Sequence, residues 1–80
     1  MERFTKTLTV NNEKKVFDFT EMRNMSGSKF FITTKDEKQK PIAFSLKPTG
    51  DGDWKLTPGS LRWLYDIETE LSNAIREMHP

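Results

Sequence analysis

The spacing of apolar residues changes once along this chain, and that change limits the fold more than any other feature. From residue 4 to residue 47, apolar and polar side chains alternate with period two. From residue 58 onward they recur at three- and four-residue steps. The first pattern is that of strands with one buried face, and the second is that of a helix with one apolar stripe. Between them lies Pro48-Thr49-Gly50-Asp51-Gly52-Asp53, which offers nothing to bury and reads as a loop.

The period-two region divides into four strands. Thr5-Lys6-Thr7-Leu8-Thr9-Val10 ends at Asn11-Asn12, a pair that tolerates positive φ and marks a hairpin. The next strand places Lys15, Phe17, Phe19, Glu21 and Arg23 on one face and Val16, Asp18, Thr20 and Met22 on the other. After a turn at Asn24-Met25-Ser26-Gly27-Ser28, the third strand sets Lys29, Phe31, Thr33 and Lys35 against Phe30, Ile32 and Thr34. Asp36 to Lys40 is too charged to bury and makes the third turn, and Ile42, Phe44 and Leu46 share a face of the fourth strand. Trp54-Lys55-Leu56 is a candidate fifth. Thr57 reads as an N-cap with Pro58 at the first helical position, so a helix of about 20 residues is expected over 58–78. The expected architecture is α+β: one domain over residues 1–80, a four- or five-stranded antiparallel sheet and one long C-terminal helix.

Size and charge narrow the function. The 80 residues are 34% hydrophobic and contain no cysteine, so no disulfide or thiolate zinc site supports the core. Self-association is the expected remedy, as an intertwined homodimer joined through the helix residues Trp63, Leu64, Ile67, Leu71 and Ile75. No apolar run approaches the roughly 20 residues that span a bilayer. The chain therefore reads as soluble, intact from Met1, and cytoplasmic or nucleoid-associated. The net charge of +1 conceals an uneven distribution, because residues 1–47 hold ten Lys or Arg against six Asp or Glu, whereas residues 58–80 are acidic.

One helix covers one face of a sheet, so the other face needs an occupant. Phe17, Phe19 and Phe31 are expected to share a face with Lys15, Arg23, Lys29 and Lys35. Rings beside cations suit single-stranded nucleic acid, because unpaired bases stack on the rings while the cations neutralise phosphates. In the competing reading the phenylalanines are core and the lysines snorkel from strand ends.

Two families resemble this pattern. The segment Val16-Phe17-Asp18-Phe19-Thr20-Glu21-Met22-Arg23-Asn24, a small-residue turn and Lys29-Phe30-Phe31-Ile32-Thr33 look like the purine-rich-element-binding (PUR) repeat. Thr20-Glu21-Met22-Arg23-Asn24-Met25, Leu56-Thr57-Pro58 and Asn73-Ala74-Ile75-Arg76-Glu77-Met78 resemble the Positive Cofactor Four family of single-strand-binding coactivators. Both resemblances imply a dimeric ββββα protein that cradles single-stranded DNA or RNA with little sequence readout, in transcription, replication or recombination. They make Phe17, Phe19 and Phe31 stacking candidates and Lys15, Arg23, Lys29 and Lys35 backbone contacts. The chain departs from these families in its single repeat, its low net charge, its Asp18 and Glu21, and the added strand Pro41 to Lys47.

Catalysis has little basis. His79 is the only histidine and reads as a solvated helix-end cation. Asp51 begins a superficially calcium-like loop, but the twelfth position is Arg62, where a bidentate glutamate is required. Ser26-Gly27-Ser28 reads as a turn, since no phosphate-cradling motif surrounds it, and Glu68 and Glu70 point to different sides of a helix. The chain is expected to be no enzyme and to need no cofactor or metal. The second functional class is a protein-interaction module that uses the free sheet face, a strand edge or the helix.

Overall fold

A computed structural model describes residues 3–25 and 27–78. The readings of Met1, Ser26, His79 and Pro80 lie outside the described residues. Five strands, β1 (Arg3–Val10), β2 (Glu13–Asn24), β3 (Gly27–Lys35), β4 (Pro41–Pro48) and β5 (Trp54–Leu56), form one antiparallel sheet in the order β1-β2-β3-β4-β5. Two helical segments follow, α1 (Arg62–Tyr65) and α2 (Glu68–Met78). The α+β class and the sheet-then-helix order agree with the expectation, and Trp54–Leu56 is a strand.

Local chemistry sets the turns. Asn11 and Asn12 take φ of 51° and 66°, the left-handed pair that a two-residue hairpin requires, and Val10 pairs with Glu13 across them. At the β3–β4 turn, Asp36 Oδ1 accepts from the backbone N–H groups of Lys38 and Lys40, each at 2.8 Å. In the loop before β5, the Thr49 N–H donates to Asp53 O at 2.9 Å and the Thr49 hydroxyl donates to the Asp51 carboxylate.

The helix begins later than its apolar stripe and is interrupted. Thr57 to Ser60 is a turn, with Gly59 at φ +89°, a left-handed conformation that ends any helical run. After α1, the N–H groups of Asp66 and Ile67 bond three residues back, to Trp63 O and Leu64 O. This tighter winding brings residues three apart into line, so Leu64 and Ile67 both reach the sheet. The usual spacing resumes where the Leu71 N–H meets Ile67 O at 3.0 Å.

The helices cover one face of the sheet. Phe17, Phe19, Phe30, Ile32, Leu46, Leu64, Leu71 and Ile75 are fully buried between the two layers. Ring pairs run across this core, with Phe4 stacked on Phe19 at 4.5 Å and Phe30 edge-on to Trp54 at 5.2 Å. The helix also closes one sheet edge. The backbone N–H of Trp54 donates to Ser72 Oγ at 3.0 Å, and that of Leu56 donates to Glu68 Oε2 at 2.9 Å. The opposite edge, β1, has no strand beyond it.

This packing corrects the placement of the residues expected at a helix-mediated dimer interface. Leu64, Leu71 and Ile75 are fully buried and Ile67 is nearly so, all within the protomer, because the open side of an 80-residue core must be filled by its own helix. Trp63, the fifth residue of that set, is half-buried against the core and walls a cleft of about 410 Å3 near Val10, Asn11 and Lys15. Among the described residues no helix is long and apolar enough to cross a membrane.

Candidate nucleic-acid interface

Register decides which of the expected site residues share a surface. Asn24 pairs with Gly27, so only two residues separate β2 from β3, and odd-numbered positions of β2 stand opposite even-numbered positions of β3. Phe19 therefore faces Ile32, and Thr20 faces Phe31. Residues directly opposite share a face, so the seven expected site residues divide between the two faces. This corrects the single aromatic and cationic face read from the sequence.

Four of the seven lie on the helix-covered side. Phe17 and Phe19 have 0% exposure and cannot receive a base. Lys15 donates from Nζ to Lys35 O at 3.2 Å, and the same Nζ stands 6.0 Å from the centre of the Trp63 ring. Arg23 Nε lies 3.0 Å from Glu21 Oε2; Glu21 is almost fully buried, while the Arg23 side chain is two-thirds exposed. A charge-assisted bond to a buried carboxylate is a structural use of an arginine.

Phe31, Lys29 and Lys35 lie together on the open face. β3 is the central strand of the five, so Phe31 is near the middle of that surface. It is half-buried, with Thr20 directly opposite on β2 and Ser45 directly opposite on β4. Both of these neighbours are small, and Phe31 keeps part of its surface open to solvent.

The sheet brings further cations to the same surface. Arg3 is opposite Thr20, Lys14 is opposite Thr9, and Lys47 is opposite Lys55, all on the side away from the helices. Among the described residues, the strand positions of this face carry Arg3, Lys14, Lys29, Lys35, Lys47 and Lys55 against the single carboxylate of Asp18. None of these six takes part in an ion pair among the described residues, whose three pairs are Lys6–Glu77, Arg23–Glu21 and Arg76–Asp53. Lys14, Lys47, Lys55 and Arg3 were absent from the sequence-derived set. Their signal was strand alternation, since each lies next to a residue that faces the core.

The two ends of this face differ. At one end, a depression of about 450 Å3 mixes Lys14, Lys15 and Lys35 with Glu13, Asp18, Asp36 and Glu37. At the other end the register Phe30↔Leu46, continued by one residue, sets Lys29 opposite Lys47, and Lys47 is opposite Lys55. Met22 completes this row on β2, so three lysines cross β3, β4 and β5 in line with no carboxylate among them.

Comparison with protein-family models, with curated proteins and with solved structures finds no match to this chain.

Proposed function

We propose that this protein binds single-stranded DNA or RNA, without catalysis, through the open face of its sheet. The observation that supports this reading is the position of Phe31: a half-buried ring at the centre of a face whose cations outnumber its carboxylates six to one among the described strand residues. A base stacked on that ring is worth about 1–3 kcal/mol, and cations at its sides neutralise the phosphates. The helical side carries Asp66, Glu68, Glu70 and Glu77, which repel a polyanion and leave the sheet as the attractive surface. Lys35 shares the open face but lies at its carboxylate-lined end, and of the residues named by the resemblance to PUR repeats and to Positive Cofactor Four, which belongs to the same proposal, Phe31 and Lys29 keep the roles it implies. Phe17, Phe19, Lys15 and Arg23 do not.

The test is a salt titration of binding to labelled single-stranded oligonucleotides of several sequences. Affinity is expected to fall steeply with salt and to change little with sequence. No binding at low salt by the folded protein would overturn the proposal. A second reading, a protein-interaction module, draws on the burial of Phe17 beneath the helix and on the open β1 edge, which can accept an added strand. Lys6 lies inward on β1 with its Nζ 3.4 Å from Glu77, a charge of the kind that blunts an edge against added strands.

A further inference from the structure

We infer that the nucleic-acid backbone crosses the strands at one end of the open face, along Lys29, Lys47 and Lys55, and that the adjacent base stacks on Phe31. This inference rests on the single-strand reading above and specifies the path of the strand.

Three lysines on neighbouring strands, about 4.8 Å apart, place like charges side by side over roughly 10 Å. Like charges directly opposite one another destabilise a sheet. Lys6 and Arg76, on other parts of the molecule, are matched by Glu77 and Asp53. Around Lys14 and Lys35, the carboxylates of Glu13, Asp18, Asp36 and Glu37 line the same depression, with no ion pair to either lysine among the described residues. The row at the other end has no carboxylate on its own strands, although Lys55 at its β5 end acts electrostatically on Asp51 of the preceding loop. A chain of phosphates is a ligand whose charges are spaced in a line, and it relieves the repulsion that the free protein retains.

Phe31 fixes the side on which the bases lie. It is two residues along β3 from Lys29, about 7 Å, which is one row further into the face. Thr20 and Ser45 flank it, and the Ser45 hydroxyl lies 3.4 Å from that of Thr57. Phosphates on the lysine row thus direct bases toward a ring bordered by hydroxyl groups. A duplex keeps its bases paired and stacked on each other and has none to offer the ring, so single strands are the substrate class.

Oligonucleotide affinity as a function of salt tests this path. For a single strand, each phosphate contact contributes about 0.7 to the slope of log affinity against log salt. Lys29→Gln, Lys47→Gln and Lys55→Gln are each expected to flatten the slope by about that amount. Lys47→Arg should keep it, and Lys14→Gln and Lys35→Gln should leave it unchanged. Lys47→Gln should also raise the Tm of the free protein by about 1–2 °C at low salt, because repulsion in the row is removed. Weaker binding in a variant that melts higher cannot be ascribed to unfolding.

Wild-type protein that binds single strands while all three row variants keep its slope would overturn the path and leave the single-strand reading intact. So would a loss of slope confined to Lys14→Gln and Lys35→Gln. Failure of folded wild-type protein to bind any single strand at low salt would overturn both. Duplex DNA competing as well as a single strand of equal length would overturn the role of Phe31.

Discussion

The covered and open faces of the sheet use the same strands and nearly the same number of side chains, yet they differ in kind. Toward the helices stand Phe17, Phe19, Phe30, Ile32 and Leu46, fully buried. Toward solvent stand threonines, six cations, one aspartate, one phenylalanine and the exposed side chains of Val16 and Met22. A face closed by a helix gains by removing apolar area from water, at roughly 25 cal/mol per Å2, and holds charge at its rim or, as at Glu21, buried against a charged partner. Lys6, Lys15 and Arg23 are at that rim, each with a partner. The open face has no such requirement and is free to carry charge that the fold itself does not use. An aromatic ring therefore means different things on the two faces: Phe19 holds the layers together, and Phe31 stands half-buried on the open surface.

The sharpest way to break this contrast is to truncate one ring on each face. Phe19→Ala should cost about 3–5 kcal/mol of stability in chemical denaturation, because it opens a cavity in a close-packed core. Leu71→Ala should cost about 2–5 kcal/mol in the same measurement, with no change in mass in solution, because that side chain packs within the protomer. A fall in mass instead would restore the helix stripe to an intermolecular interface. Phe31→Ala should weaken oligonucleotide binding by about 1–3 kcal/mol by fluorescence anisotropy and leave most of the salt slope unchanged. Should Phe31→Ala unfold the protein as Phe19→Ala does, the two faces would not be functionally distinct.

Smaller effects sharpen how the helical layer is held. Gly59→Ala should lower stability by about 1–2 kcal/mol, since the left-handed backbone there penalises a Cβ even though nothing lies within 4 Å of it. The smallest effect is at the Asp51 loop. The Thr49 hydroxyl, with the backbone around Asp53, holds the Asp51 carboxyl below its ordinary value. A lowered folded-state value means that any stabilisation is complete above the ordinary carboxylate range and fades as pH falls through the lowered value. Asp51 is fully exposed, so the expected outcome is local: Thr49→Val should return its NMR titration toward the ordinary value and leave the melting temperature almost unmoved.

Within each strand, alternation alone assigned every residue to the correct pair of faces. Lys15, Phe17, Phe19, Glu21 and Arg23 do share one side of β2, and Lys29, Phe31, Thr33 and Lys35 share one side of β3. The error lay in joining those two sets. A two-residue connection pairs odd with even positions, so Phe19 faces Ile32 and its ring lies on the opposite side from Phe31. The five-residue turn from Asp36 to Lys40 preserves parity instead, so Phe30 faces Leu46. The length of the β2–β3 turn could not be read closely from Asn24-Met25-Ser26-Gly27-Ser28, where several small or polar residues are equally able to form it.

The strands, their order and the two sides of each are legible in the chain, because these depend on local periods and on turn chemistry such as Asn11-Asn12 and the glycine-rich loop. Strand pairing settles which sides combine, because register is a relation between strands and a shift of one residue sends every side chain to the other face. The folded chain likewise settles that the helix starts after Gly59 and tightens at Asp66, since a stripe at three- and four-residue spacing suits both the regular and the tighter winding. The lysine row arises in the same way. Lys29, Lys47 and Lys55 are far apart in the chain, and pairing between strands makes them neighbours.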